Sequence, residues 1–288
     1  MIDLSRPYEV ERRDVVYLRH GETEYLARVW EPLGGPKAGR IAVVDAHGGA
    51  WCDNDRRFGA RYDVALAAAG AVVVALDFRT GPDHRHPSGS ADVTGGVRWA
   101  KANAQVLGID EHRVLLVGSS SGGHLAALAA IRPNEDEHLG GEFLVNGSWQ
   151  SLDTGDASVA GVAPFWPPLD PLARYRYASA LDTDHGRRLK SNTEKYFGTE
   201  AVMASGSVAD VVGSGAATSL PPMWLVEAEN DLNVPTPILD AVEGAYLQAG
   251  GEFRRTCYRG AAHAFGHYES EQCDEFLADL CEWVAGFA

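Results

Sequence analysis

From about Ile41 onward, short continuous apolar runs alternate with longer segments of helical periodicity. Ile41–Asp45, Ala71–Leu76, Arg113–Val117, Ser158–Ala163, Met223–Glu227 and Glu252–Tyr258 read as strands, bounded by turn residues. Arg56–Ala69, Ser88–Leu107, Gly122–Ala130, Ile238–Ala249 and a final stretch near Ser270–Val284 read as helices. Strands without a polar face, separated by helices, predict a parallel sheet covered on both sides. The expected architecture is a doubly wound α/β fold.

Two segments break this alternation. Val15–Leu18 and Tyr25–Trp30 alternate apolar and polar residues, as an antiparallel edge hairpin would. Between Phe165 and Leu220 no strand is evident. The turn Trp166-Pro167-Pro168 is followed by helical patches at Pro171–Leu181 and Arg187–Phe197, then by a Gly/Ser-rich tract from Ser205 to Ser219. An insertion of this length within a single domain, 1–288, points to a cap or lid at about 165–220.

Composition narrows the partners. Of the 288 residues 45% are hydrophobic, enough for a sizeable core. The formal net charge of −15 repels phosphate backbones and anionic lipid, so neither nucleic acid nor a membrane surface is an expected partner. Met1 to Val16 is charged throughout and lacks the apolar core of a signal peptide. The four cysteines show no CxxC pair and no zinc-type spacing, and the expectation is reduced thiols in a cytoplasm. A homodimer is left open.

Strand Arg113–Val117 runs directly into Gly118-Ser119-Ser120-Ser121-Gly122-Gly123-His124, with a helix behind it. GxSxG between strand and helix is a nucleophile elbow, in which small neighbours allow a tight turn that holds the serine hydroxyl above the sheet. Only Ser120 has glycine at both −2 and +2. Strand Ile41–Asp45 ends in Ala46-His47-Gly48-Gly49-Ala50-Trp51, a turn whose backbone N–H groups are free to converge on an oxyanion. A serine hydroxyl needs a base, and the base an orienting carboxylate, in chain order serine, acid, histidine. Asp231 and His263 each follow the carboxyl end of a strand, where sites on open α/β sheets assemble. Glu227, inside the strand, and Glu229, early in the loop, are rival acids. His267 is a rival base, farther from its strand end than His263.

With these pieces in place, the chain resembles the hormone-sensitive-lipase-like group of α/β-hydrolases, microbial esterases built around an HGGG oxyanion motif. The likeness runs from about Ile41 to Phe265. Asp77-Phe78-Arg79 through Pro82-Asp83-His84 and Pro87 resembles that group's D-Y-R-L-A-P-E-H-x-x-P stretch. Asp92-Val93 and Trp99, Leu220-Pro221-Pro222, and His263-Ala264-Phe265 resemble its D-D-V and W, its L-P-P and its H-x-F. The third glycine of HGGG is Ala50 here, and HGG-x-W also occurs in kynurenine formamidases of the same fold. Ser119 and Ser121 stand where the group usually has Asp and Ala.

The resemblance implies a serine hydrolase acting on a small carboxylic ester, with Ser120, Asp231 and His263 as catalytic residues. It further implies the N–H groups of Gly49, Ala50 and Ser121 as oxyanion donors. Neither a cofactor nor a metal is expected; His84 and His86 match a structural loop of the group. Trp51, Trp166 and Trp224 could line an acyl pocket, and Trp51 and Trp166 are taken as substrate-binding. Cys52, near the oxyanion turn, is read as a small filler. The alternative enzyme is an amidase of the arylformamidase type. From a different class comes a small-molecule receptor that has lost turnover.

Overall fold

The computed structural model describes residues 7–35 and 38–288; the first six residues of the charged N-terminal stretch lie outside that range. Ten strands form one mixed sheet: β1 (Glu9–His20), β2 (Thr23–Leu33), β3 (Arg40–Ala46), β4 (Val72–Leu76), β5 (Ile109–Ser119), β6 (Glu142–Val145), β7 (Ser148–Ser151), β8 (Gly161–Phe165), β9 (Met223–Asn230) and β10 (Phe253–Ala262). Their spatial order is β10-β9-β8-β5-β3-β4-β2-β1-β6-β7. The six strands from β10 to β4 run parallel. They are the six apolar runs of the sequence, and the architecture is the α/β-hydrolase fold.

Helices α1 (Ala60–Ala69), α2 (Ser88–Ala102), α3 (Ala104–Leu107) and α4 (Ser121–Ile131) belong to the first half of the chain. The insertion contributes α5 (Pro171–Ala180), α6 (Asp184–Phe197), α7 (Glu200–Ser205) and α8 (Val208–Gly213), and α9 (Thr236–Gln248) and α10 (Glu271–Ala285) complete the set. Successive strand residues point to opposite faces, so one sheet serves two cores. Ala42, Val44, Val72, Val74, Val114 and Leu116 pack with α2, α4 and α9. Val43, Val73, Leu115 and Val117 pack with Tyr62 and Leu66 of α1 and Phe276 and Leu280 of α10. This double coverage is why the central strands carry no polar face.

The structure departs from the sequence pattern in four places. The N-terminal hairpin lies at the antiparallel end of the sheet, but a second hairpin, β6–β7, is added outside it through Leu18 and Arg19. That hairpin turns at Asn146-Gly147, both at positive φ, an Asn-Gly signal flanked by strands too short to show a period. The helix expected over Ser88–Leu107 is broken at Asn103, whose amide donates to the Trp99 and Leu144 carbonyls at 2.9 and 3.0 Å. A short amide side chain of this kind competes with the helical ladder. The strand expected at Ser158–Ala163 begins and ends later, at Gly161–Phe165. Within the tract Ser205–Ser219, Ser207 caps a helix, its hydroxyl accepting from Asp210 N–H. Among the described residues no helix is long and apolar enough to cross a membrane.

Candidate active site

Parallel strands place their carboxyl ends on one edge, and four of them deliver the site. β5 ends at Ser119, and the next residue, Ser120, sits at φ 51°, ψ −121° before α4 begins. A non-glycine residue there costs on the order of 1–3 kcal/mol. The turn is held by the Ser120 N–H donating to the Phe165 carbonyl at 2.8 Å. Gly122 is required for a different reason: a Cβ on it would lie 1.9 Å from the Ala46 carbonyl oxygen and 2.3 Å from that of His47. The elbow and the loop after β3 are therefore packed backbone to backbone.

That loop carries Gly48, Gly49 and Ala50. Gly49 is at φ 133°, and a Cβ there would meet the Asp53 carbonyl oxygen at 2.0 Å. Its own carbonyl accepts from Cys52 and Asp53 N–H at 3.0 Å each, and the Asn54 amide donates to the Gly48 carbonyl at 3.1 Å. Gly48 N–H is used structurally, donating to the Ser119 hydroxyl at 3.1 Å. Among the described residues the N–H groups of Gly49, Ala50 and Ser121 find no protein acceptor. Gly49 and Ala50 border the same cleft as Ser120. His47 stacks on Phe78 at 4.1 Å and is kept below the usual histidine range by burial.

His263 directly follows β10, and Asp231 directly follows β9. His263 Nε2 is 2.9 Å from Ser120 Oγ, and His263 Nδ1 is 2.8 Å from Asp231 Oδ2. Asp231 Oδ1 accepts from the N–H groups of Asn233 and Val234 at 2.7 and 3.0 Å, which fixes the carboxylate plane. With a carboxylate accepting from Nδ1, the Nε2 lone pair faces the serine hydroxyl. This hydrogen-bond chain can deprotonate a hydroxyl during attack on a carbonyl.

The rivals sit elsewhere. Glu227 pairs with Arg255 at 2.9 Å and accepts from the Thr236 hydroxyl. Glu229 lies within β9 rather than in the loop, and it accepts from Gly260 N–H at 2.8 Å. His267 borders the cleft but packs on Phe58, Tyr62 and Trp166, and burial pushes its pKa down to about 4. The Cys52 thiol is pushed up to about 11 by burial. His86 is wedged against Tyr196 and Phe197, and among the described residues no cluster of three metal-type ligands exists.

The tryptophans divide. Trp166 borders the cleft. Trp51 does not: its ring stacks parallel to Tyr196 at 6.1 Å, and its Nε1 donates to His124 at 3.2 Å. The expectation that Trp51 binds substrate is corrected accordingly, since an aromatic beside a glycine turn can fold back into the core as readily as face outward. Trp224 is likewise core, bonded to Thr256. Residues that the pattern gave no means of finding complete the wall: Arg174 from α5, His185, Arg188 and Asn192 from α6, and Asn233. The cleft encloses about 230 Å³.

Comparison with known proteins places the chain among esterase-like sequences and folds. The BD-FAE family model matches residues 34–239. Esterase LipC of Mycobacterium tuberculosis is 34% identical over 145 residues, covering 50% of this chain and 35% of that protein. Carboxylesterase NlhH of the same organism is 34% identical over 132 residues, covering 44% and 40%. The chain thus aligns with well under half the length of either relative. The propionate-bound structure of Est2, a thermophilic esterase from Thermogutta terrifontis, superposes with a TM-score of 0.70 at 24% identity, covering 98% of this chain and 95% of that one. The resemblance to α/β-hydrolase esterases read from the motifs is borne out.

Proposed function

The chain belongs to the BD-FAE family, and from the geometry of its site we propose that it hydrolyses small carboxylic esters through an acyl-enzyme on Ser120. The observation that carries this reading is the unbroken chain Ser120 Oγ, His263, Asp231, with separations of 2.9 and 2.8 Å. His263 Nε2 takes the hydroxyl proton as Oγ bonds to the ester carbonyl carbon. The negative charge on the carbonyl oxygen is met by the N–H groups of Gly49, Ala50 and Ser121, each such donor being worth about 10²–10³ in rate. Collapse breaks the bond to the alkoxy group, which leaves with the proton from His263. Water then repeats the sequence on the acyl-enzyme with His263 as base, releasing the acid and restoring Ser120. Asp231 holds the ring and stabilises the imidazolium.

A cleft of about 230 Å³ lies below the range of drug-sized pockets and supports a small substrate. The four helices between β8 and β9 act in this reading as a cap on a single domain, with α5 and α6 forming the cleft wall. Four unpaired cysteines, Cys52, Cys257, Cys273 and Cys281, support a reducing compartment.

The test is active-site labelling. A fluorophosphonate should modify Ser120, and Ser120→Ala should abolish both labelling and hydrolysis of p-nitrophenyl butyrate. Ser119 is held by Gly48 N–H and cannot substitute, so an adduct on Ser119 would refute the assignment. Asp231→Asn should lose about 10⁴ in kcat. A greater loss in Glu229→Gln would move the acid. N-formylkynurenine belongs in the substrate panel, because turnover far above every ester would establish the amidase instead.

A further inference from the structure

The part of the cleft wall formed by α5 and α6 is cationic and carries donors without acceptors among the described residues. Arg174 is 3% exposed, yet it borders the cleft and forms no ion pair with any described residue. Its Nη1 donates to the Leu189 carbonyl at 3.2 Å and the Thr193 hydroxyl at 2.7 Å, tying α5 to α6, and its Cζ lies 5.3 Å from the centre of the Trp51 ring. That tether uses one side of the guanidinium only. Nε is buried with no hydrogen-bond partner, and Nη2 has no protein acceptor. These two are the parallel N–H pair that grips a carboxylate. Burial lowers the pKa to about 10, opposed only by the nearby Asp231 charge, so the group remains cationic at neutral pH.

Two neighbours extend the pattern. Arg188 is exposed, pairs with no acid among the described residues, and donates through Nη2 to His185 Nδ1 at 3.2 Å. The ring proton of His185 is therefore on Nε2, which is buried and unpartnered. Trp166 also borders the cleft, and its Nε1 is a buried donor without an acceptor among the described residues. Among the described residues no aspartate or glutamate borders the cleft, although the molecule carries a net charge of −15. Leaving several buried donors unmade is costly, each on the order of 1–3 kcal/mol. A carboxylate in the cleft would offer acceptor positions and a negative charge to this wall.

Resting on the hydrolase reading, we propose that the substrate is an ester bearing a second, free carboxylate, which Arg174 and Arg188 receive while the ester carbonyl lies at Ser120. Recognition by charge in a partly open cleft makes the preference steep at low ionic strength and weaker as salt is raised.

The experiment compares kcat/KM within matched pairs. Mono-p-nitrophenyl adipate against p-nitrophenyl hexanoate puts the charge on the acyl side; 4-acetoxybenzoate against 4-acetoxybenzamide puts it on the alcohol side. The proposal expects the charged member to lead by at least about tenfold in one pair. That ratio should fall at least threefold in Arg174→Gln or in the exposed Arg188→Gln. Working with ratios removes any general loss from loosening the α5–α6 tether, and Arg188→Gln serves if Arg174→Gln does not fold. Anything less, in the preference or in its fall, overturns the proposal. If no ester is turned over, the hydrolase reading fails on its own. Calorimetry of monoethyl adipate against diethyl adipate with the unmodified protein then decides the subsite. Tighter binding of the charged compound, lost in Arg188→Gln, supports it, and equal binding overturns it.

Discussion

Replacing Gly122 by alanine should damage the protein, although the same change at Gly244 should help it. Both residues are helical, in α4 and α9. Helix propensity alone favours alanine by about 1 kcal/mol at either position. At Gly244 an added Cβ meets nothing within 4 Å, so the propensity gain stands, raising Tm by about 2 °C in a domain of this size. At Gly122 the added carbon would lie 1.9 Å from the Ala46 carbonyl oxygen, against roughly 3.5 Å for an unstrained contact. Backbone must therefore move by roughly 1.5 Å. Overpacking against side chains costs about 1–3 kcal/mol. Here the obstruction is main chain at the end of β3, which cannot rotate away, so a loss of about 3 kcal/mol or more is expected. If the β3 loop yields instead, the Gly49 and Ala50 N–H groups shift with it, and a misplacement near 1 Å costs about 10² in rate. Urea denaturation followed by far-UV circular dichroism, with p-nitrophenyl butyrate turnover beside it, reads both outcomes. A Gly122→Ala protein within 0.5 kcal/mol of the parent in stability, about the spread of neutral surface changes, and unchanged in kcat would refute the backbone-contact argument.

Two further consequences follow from buried groups near the site. Asp45, at the end of β3, is fully buried and accepts from Tyr62 OH at 3.2 Å; burial raises its pKa to about 7, beside a likewise raised Asp63. A carboxyl raised on folding contributes stability that is complete below its unfolded pKa, near 4, and lost as pH rises through 7. Asp45→Asn should therefore match the parent near pH 4 and exceed it at pH 8 by about 1–4 kcal/mol, and a difference independent of pH would refute this. Trp166 packs on Phe265 and Phe276 and borders the cleft. Trp166→Ala should cost about 3–5 kcal/mol and raise the octanoate-to-butyrate ratio in kcat/KM, and an unchanged chain-length profile would mean that the ring is wall without being limit.

What could be read from the chain and what could not separate along a physical line. Ser120, Asp231, His263 and the Gly48-Gly49 turn each sit within a few residues of a strand end, and parallel strands place such ends together whatever the loops between them do. A motif one loop past an apolar run is thus located in space by its place in the chain. Arg174 has no such anchor. In sequence it is one arginine in Arg174-Tyr175-Arg176, and nothing there distinguishes it from Arg176, which pairs with Glu200 on the surface. The difference arises only when α5 packs on α6 and the Leu189 carbonyl and Thr193 hydroxyl draw Nη1 inward. Trp51 illustrates the converse, a residue next to the oxyanion turn whose ring leaves the cleft because His124 offers its Nε1 an acceptor. On the proposed reading the chemistry of this site is carried by the sheet and its specificity by α5 and α6. Substitutions in α5 and α6 can then change which ester is taken while Ser120, His263 and Asp231 stay in register.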